Sequence, residues 1–156
     1  MIVQNVFDQA IHLMDAQNES TGSTTTADTK EYALRTPNII NTLLDQVYPY
    51  SGTYPSVEDG SSERPFLPSV SSLEDELDLD AYIWRNVLPF GLAGLLLTEE
   101  NPTQANFFWQ TYLENLNAAK SRLPSSGIES VEDVYGGGEG GESALGWGGI
   151  EYGGFG

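Results

Sequence analysis

Apolar residues recur three and four positions apart in four separate stretches of this chain, the spacing that lines up side chains on one face of a helix. In the first stretch Val3, Phe7, Ala10, Ile11 and Met14 form the stripe, with Gln4, Asp8, Gln9 and Asp15 between them. This predicts one short helix over residues 1 to 16. Residues 18 to 26 contain no apolar side chain and are rich in Ser, Thr and Asn, which compete with a helix for backbone hydrogen bonds, so they read as an exposed loop. A second helix is expected from Asp28 or Thr29, carried by Tyr32, Leu34, Ile39, Ile40, Leu43, Leu44, Val47 and Tyr48. Pro37 falls inside it and removes one backbone donor, which predicts either a kink or a fresh start, with the kink preferred.

Pro49 closes that element. Residues 51 to 72 then carry three prolines and seven serines and read as a long surface loop or a small hairpin. The run Leu73-Glu-Asp-Glu-Leu-Asp-Leu-Asp80 leads into a third helix expected over residues 81 to 98, capped by Asp78 or Asp80. Leu79, Ile83, Val87, Phe90, Leu92, Leu95 and Leu96 cover most of its circumference, so it should be the most buried of the helices. Gly91 and Gly94 within it are assigned to close helix packing. Asn101-Pro102-Thr103-Gln104 supplies an N-cap, a proline at the first helical position and a Gln placed to return a capping bond. The fourth helix follows to Arg122, with Ala105, Phe108, Tyr112, Leu116 and Ala119 on one face and Trp109 and Leu113 alongside. The aromatic stripe Phe108, Trp109 and Tyr112 reads as core or subunit interface.

Beyond Pro124 the composition changes: the last 32 residues hold 12 of the 17 glycines, six acids and no Lys or Arg. A segment of that kind has too little apolar surface to build a core of its own. Its aromatics, in Tyr135-Gly-Gly, Trp147-Gly-Gly and Tyr152-Gly-Gly-Phe155, are large apolar side chains that a plain linker does not need and that interfaces use as anchors. The expected fold class is therefore all-α: a small bundle of about four helices over residues 1 to 123, with a long inter-helix loop and an extended Gly/aromatic C-terminal arm over 124 to 156.

Charge changes the picture more than composition does. Six Lys and Arg face 23 Asp and Glu, a formal net charge of −17 among 156 residues. A protein that grips nucleic acid neutralises phosphates with clustered cations, so tight phosphate binding is excluded, and an anionic membrane surface is disfavoured in the same way. Leu92 to Leu97 is too short to span a bilayer. With no cysteine there is no disulfide, thiolate zinc site or thiol nucleophile.

Candidate chemistry is sparse. His12 is the single histidine, so any Ser/His/Asp arrangement would depend on it, and a half-exposed helix residue accounts for it better. The acids Glu74, Asp75, Glu76, Asp78 and Asp80 suggest calcium, yet counting from Asp75 places Asp80 at the sixth position and Asn86 at the twelfth, where an EF-hand loop requires Gly and Glu. The glycines of the tail are not followed by the Lys and Ser or Thr of a phosphate-cradling loop. No catalytic residue, cofactor or metal is assigned.

The order of segments carries a resemblance. Arg35-Thr-Pro-Asn-Ile-Ile-Asn-Thr-Leu-Leu-Asp-Gln-Val-Tyr-Pro-Tyr50, then Leu88-Pro-Phe-Gly-Leu-Ala-Gly-Leu-Leu-Leu97, Glu100-Asn-Pro and the helix with Phe107-Phe108, resembles the head-tail connector (adaptor) proteins of long-tailed phages and prophages of Gram-positive bacteria. The likeness spans roughly residues 2 to 135 and consists of helix and loop phrases, without a catalytic motif. It implies a non-enzymatic virion protein forming a ring, normally of twelve copies, under the portal protein. Such a ring extends the DNA channel and presents a docking surface to a stopper or tail-completion protein. The resemblance further implies a C-terminal arm that embraces the portal or a neighbouring subunit, a part suited to Tyr135, Trp147, Ile150, Tyr152 and Phe155. An acidic channel wall would let DNA slide without being gripped, and Glu74, Asp75, Glu76, Asp78 and Asp80 are the candidate channel acids. The rival reading from a different class is an acidic DNA mimic or regulatory protein that occupies a basic protein surface, supported by the net charge alone.

Overall fold

The computed structural model describes residues 1–52 and 67–122. The arm residues Tyr135, Trp147, Ile150, Tyr152 and Phe155, and most of the 51–72 loop, lie outside them. Four helical stretches make an all-α bundle in the order expected, the third of them broken in two: α1 Val3–Leu13, α2 Lys30–Val47, α3 Ala81–Asn86, α4 Leu88–Leu96 and α5 Pro102–Ser121, with a 3₁₀ turn at Tyr48–Tyr50. Among the described residues there is no strand, and the only extended pairing is an isolated bridge between Ile2 and Glu76.

The core follows the helical periodicity closely. Val3, Phe7, Ala10, Ile11 and Met14 are all buried, together with Val6. On α5 the buried set is Ala105, Phe108, Tyr112, Leu116 and Ala119, the expected face. On α2 burial begins only at Thr36 and continues through Ile40, Leu43, Leu44 and Val47, whereas Leu34, assigned to the apolar stripe, is 71% exposed. α4 is the hub: it packs against α1, α2, α3 and α5. Glycine permits this crowding. A Cβ at Gly91 would stand 2.8 Å from the Tyr112 ring, and one at Gly94 3.2 Å from the Ala105 carbonyl of α5.

α1 ends in a Schellman motif. The Ala16 N–H reaches back to the Ile11 carbonyl (3.0 Å) and the Asp15 N–H to that of His12 (3.1 Å), with Asp15 in the left-handed conformation at φ 56°. α2 runs unbroken through Pro37, so the proline starts no new helix. Buried Thr36 turns its hydroxyl onto the Tyr32 carbonyl of the preceding turn (2.7 Å).

The third stretch departs from the expected single helix over 81 to 98: it breaks at Val87 and ends at Leu96. The cause is Pro89, which has no N–H to give the Arg85 carbonyl four residues earlier. Gln9 of α1 takes that place, its Nε2 donating to the Arg85 carbonyl at 2.8 Å, and Asn115 of α5 donates to the Asn86 carbonyl at 2.6 Å. Two side-chain amides from neighbouring helices thus satisfy the carbonyls at the break.

Asp80 occupies the N-cap position of α3 but its side chain makes no cap bond. Its carboxylate instead accepts the Gly52 N–H at 2.6 Å, while the Asp80 N–H donates to Ser51 Oγ at 3.0 Å, so the residue ties the end of α2 to the start of α3. At α5 the Asn101 side chain accepts the Gln104 N–H (3.1 Å) as expected. The returning bond is different: Gln104 Oε1 accepts from the Asn101 amide (3.2 Å), because the Asn101 N–H is already given to the Leu97 carbonyl (2.9 Å).

Candidate functional site

Two surface features have the character of a site. The first is the acidic run before α3. It is not the solvated start of a helix but an extended segment laid antiparallel along the N-terminus: Met1 and Leu77 exchange two hydrogen bonds (2.9 and 2.8 Å), and the Val3 N–H donates to the Asp75 carbonyl (2.9 Å). Extended backbone turns alternate side chains to opposite sides. Leu77 and Leu79 are buried, and Glu74, Glu76 and Asp78 are exposed.

The five candidate channel acids therefore divide into two groups. Glu74, Glu76 and Asp78 present their carboxylates outward from one short segment. Asp75 and Asp80 are structural. Asp75 accepts the Ser71 and Ser72 N–H groups (2.6 and 3.0 Å) and both serine hydroxyls, and these bonds, the Ser71 N–H foremost, hold its carboxyl below the usual carboxylate range. Among the described residues no three His, Asp or Glu side chains converge as a metal-binding group. His12 is exposed in the last turn of α1.

The second feature is a cleft of about 310 Å³ between α4 and α5. Gly94, Leu95 and Thr98 form one wall, and Pro102, Asn106 and Trp109 the other. The Trp109 ring is stacked on Tyr112, with centroids 4.7 Å apart, which fixes the cleft's aromatic side. Both walls come from stretches with no charged residue, 87–98 and 101–113. Charged residues adjoin these stretches: Glu99 and Glu100 follow Thr98 in the chain, the Glu100 carboxylate accepting the Tyr32 hydroxyl, and Arg35 donates to the Leu95 carbonyl at 3.3 Å. Burial and the Glu100 carboxylate push the Tyr32 phenol up to about 12.

On the far side of α5, Phe107 is 65% exposed, its ring set against Phe108 with centroids 5.8 Å apart. The exposure of Phe107 follows from helical periodicity, since it lies roughly 140° around α5 from the buried face of Ala105, Phe108, Tyr112, Leu116 and Ala119, but the cleft does not. The signal available in the sequence was the charge-free pair of stretches in a chain otherwise dense in acids.

The cations are placed unusually. Arg85 lies over Trp84, Lys120 over Tyr50 and Arg122 over Tyr82, at 4.8, 5.0 and 4.0 Å from the ring centroids. Between described residues one ion pair forms, Arg35 with Glu31 at 3.9 Å. No helix of the described residues is long and apolar enough to cross a membrane. Comparison with protein-family models, with curated proteins and with solved structures returned no match.

Proposed function

We propose that this protein is a structural, non-enzymatic head-tail connector of a phage neck. In this reading copies form a ring under the portal protein, the channel for DNA continues through the ring, and its outer end receives the stopper or tail-completion protein. The observation that carries the reading is the exposed edge Glu74, Glu76 and Asp78. It is a line of carboxylates backed by the N-terminus on an all-α bundle, and the order of segments in the sequence resembles that of connector proteins. A wall of like charge repels phosphates and offers them no cation to pair with, which suits a passage that DNA must traverse without sticking.

The sequence arm with Tyr135, Trp147, Ile150, Tyr152 and Phe155 is assigned to grip the portal or a neighbouring subunit. Removing residues 136 to 156 is expected to abolish binding to purified portal rings while leaving the helical circular dichroism unchanged; undiminished binding overturns the arm assignment. Neutralising the edge (Glu74→Gln, Glu76→Gln and Asp78→Asn together) is expected to alter DNA retention and ejection in assembled particles. No change in either removes these acids from the channel wall. The net charge of −17 also favours a DNA mimic, which predicts a monomer or dimer that captures a nucleic-acid enzyme in a salt-sensitive manner and ignores portal rings.

A further inference from the structure

We infer that copies of this chain join head to tail through α5, with the exposed Phe107 of one copy seated in the α4–α5 cleft of the next. The two halves of this contact lie on one helix but on different sides of it. At roughly 100° per residue, Phe107 is about 150° around α5 from the mean direction of positions 102, 105, 106 and 109, which face the cleft. A projection on one flank and a receptor on the other is a heterologous arrangement, which propagates from copy to copy and closes into a ring if the rotation allows. A self-complementary dimer would instead need both on a shared face.

Phe107 supplies a fitting occupant on the chain itself, and the charge pattern permits a second copy at this cleft. Two molecules of charge −17 repel on almost every approach, and a contact that buried carboxylates would also have to strip them of water. The cleft walls are the exception, because residues 87–98 and 101–113 carry no charged side chain and Phe107 lies within the second of these stretches. Arg35, which donates to the carbonyl of the cleft residue Leu95, places one cation next to the cleft, so the approach is not uniformly negative. The projecting ring is already oriented by Phe108, itself packed against Phe90 with centroids 6.3 Å apart, so little freedom is lost on docking. A buried aromatic side chain removes roughly 150–250 Å² from water, and a cleft of about 310 Å³ with Trp109 on one wall offers it an aromatic face.

The contact stands on the cleft and on Phe107; closure of the copies into a ring rests on the connector reading. The test is sedimentation velocity on the full chain over a concentration series, with Phe107→Asp to remove the projection and Asn106→Arg to obstruct the cleft. Both positions are exposed, and helical circular dichroism verifies that each variant folds. Wild type is expected to form assemblies larger than a dimer, and each variant alone to be monomeric. Mixed together, the variants should form one-to-one dimers and nothing larger, since one intact projection and one intact cleft remain between them. Assembly of Phe107→Asp at wild-type strength, a monomeric wild type, or a mixture that stays monomeric overturns the contact. If assembly runs through Phe107 and the cleft but gives only open-ended chains, the contact stands and the ring reading fails.

Discussion

Asn41 and Val70 hold each other by both ends. The Val70 N–H donates to Asn41 Oδ1 at 2.8 Å, and Asn41 Nδ2 donates to the Val70 carbonyl at 2.9 Å. One side chain on α2 thus satisfies the backbone of a residue 29 positions later and presses the Val70 side chain into the core, where it is 5% exposed. Leucine at position 41 keeps the approximate size but leaves both Val70 groups unpaired in a partly buried place. Asn41→Leu is expected to lower stability by about 1–3 kcal/mol, read as a reduced urea midpoint. A midpoint equal to wild type would show that water replaces the amide without loss.

The two helix glycines of α4 oppose intrinsic propensity. Alanine in a helix is ordinarily better than glycine by about 1 kcal/mol. At Gly94, however, a Cβ would meet backbone atoms of α5, the Ala105 carbonyl at 3.2 Å and the Trp109 nitrogen at 3.3 Å, and backbone cannot rotate aside. At Gly91 the obstacle is the Tyr112 ring at 2.8 Å and Leu43 at 3.1 Å. Overpacking costs typically about 1–3 kcal/mol and outweighs the propensity gain. Both Gly91→Ala and Gly94→Ala should therefore melt below wild type, and a raised melting temperature in either would contradict the packing described here.

Gln9 has its place because of Pro89, so the two should be energetically coupled. Gln9→Ala in the natural background strands the Arg85 carbonyl and is expected to cost about 1 kcal/mol. In a Pro89→Ala background the restored N–H serves that carbonyl from within the helix, and the same substitution should cost measurably less. A double-mutant cycle by chemical denaturation gives the coupling directly. Additive effects would mean that the proline and the glutamine act independently.

Alkali should unfold the bundle through its phenols. Burial pushes the Tyr112 hydroxyl, which donates to Gln46 Oε1 at 2.6 Å, up to about 12 from an ordinary value of 10.0, and Tyr32 rises to the same level. Because the folded value lies above the unfolded one, the stabilisation is complete below pH 10.0 and is lost as pH climbs toward about 12. Tyr112→Phe removes one of these titrations and should flatten the decline, measured as denaturation midpoints across that window with phenolate absorbance followed in parallel. Asp75 acts in the opposite direction: its carboxyl is held low, so its contribution is present above the ordinary carboxylate range and fades only as pH falls through the depressed value.

How much of this was legible beforehand depended on the kind of interaction. The buried faces of α1 and α5 follow from spacing alone, since packing of a regular helix needs only a stripe. The break at Val87 is a different case, and placing Leu34 in the stripe misreads that same spacing: it lies roughly 140° around α2 from the face of Thr36, Ile40, Leu43, Leu44 and Val47, whereas Tyr32 and Ala33 pack against the core. The local signal of the break is Pro89; what the local pattern does not carry is that Gln9 and Asn115 stand opposite the carbonyls at the break and satisfy them. The same holds for the acids. Their number was plain, but the commitment of Asp75 and Asp80 to backbone N–H groups depends on Gly52, Ser71 and Ser72.

Arg85, Lys120 and Arg122 rest on indole and phenol rings, and the excess of acids over bases, a net charge of −17, is balanced by dissolved ions. In solution each copy therefore carries an atmosphere of dissolved cations. Bringing copies together compresses these atmospheres, and the osmotic cost of doing so falls as the surrounding salt rises. Assembly through the proposed contact is consequently expected to depend on the ionic composition of the medium and, unlike the binding of a nucleic acid, to tighten in stronger salt.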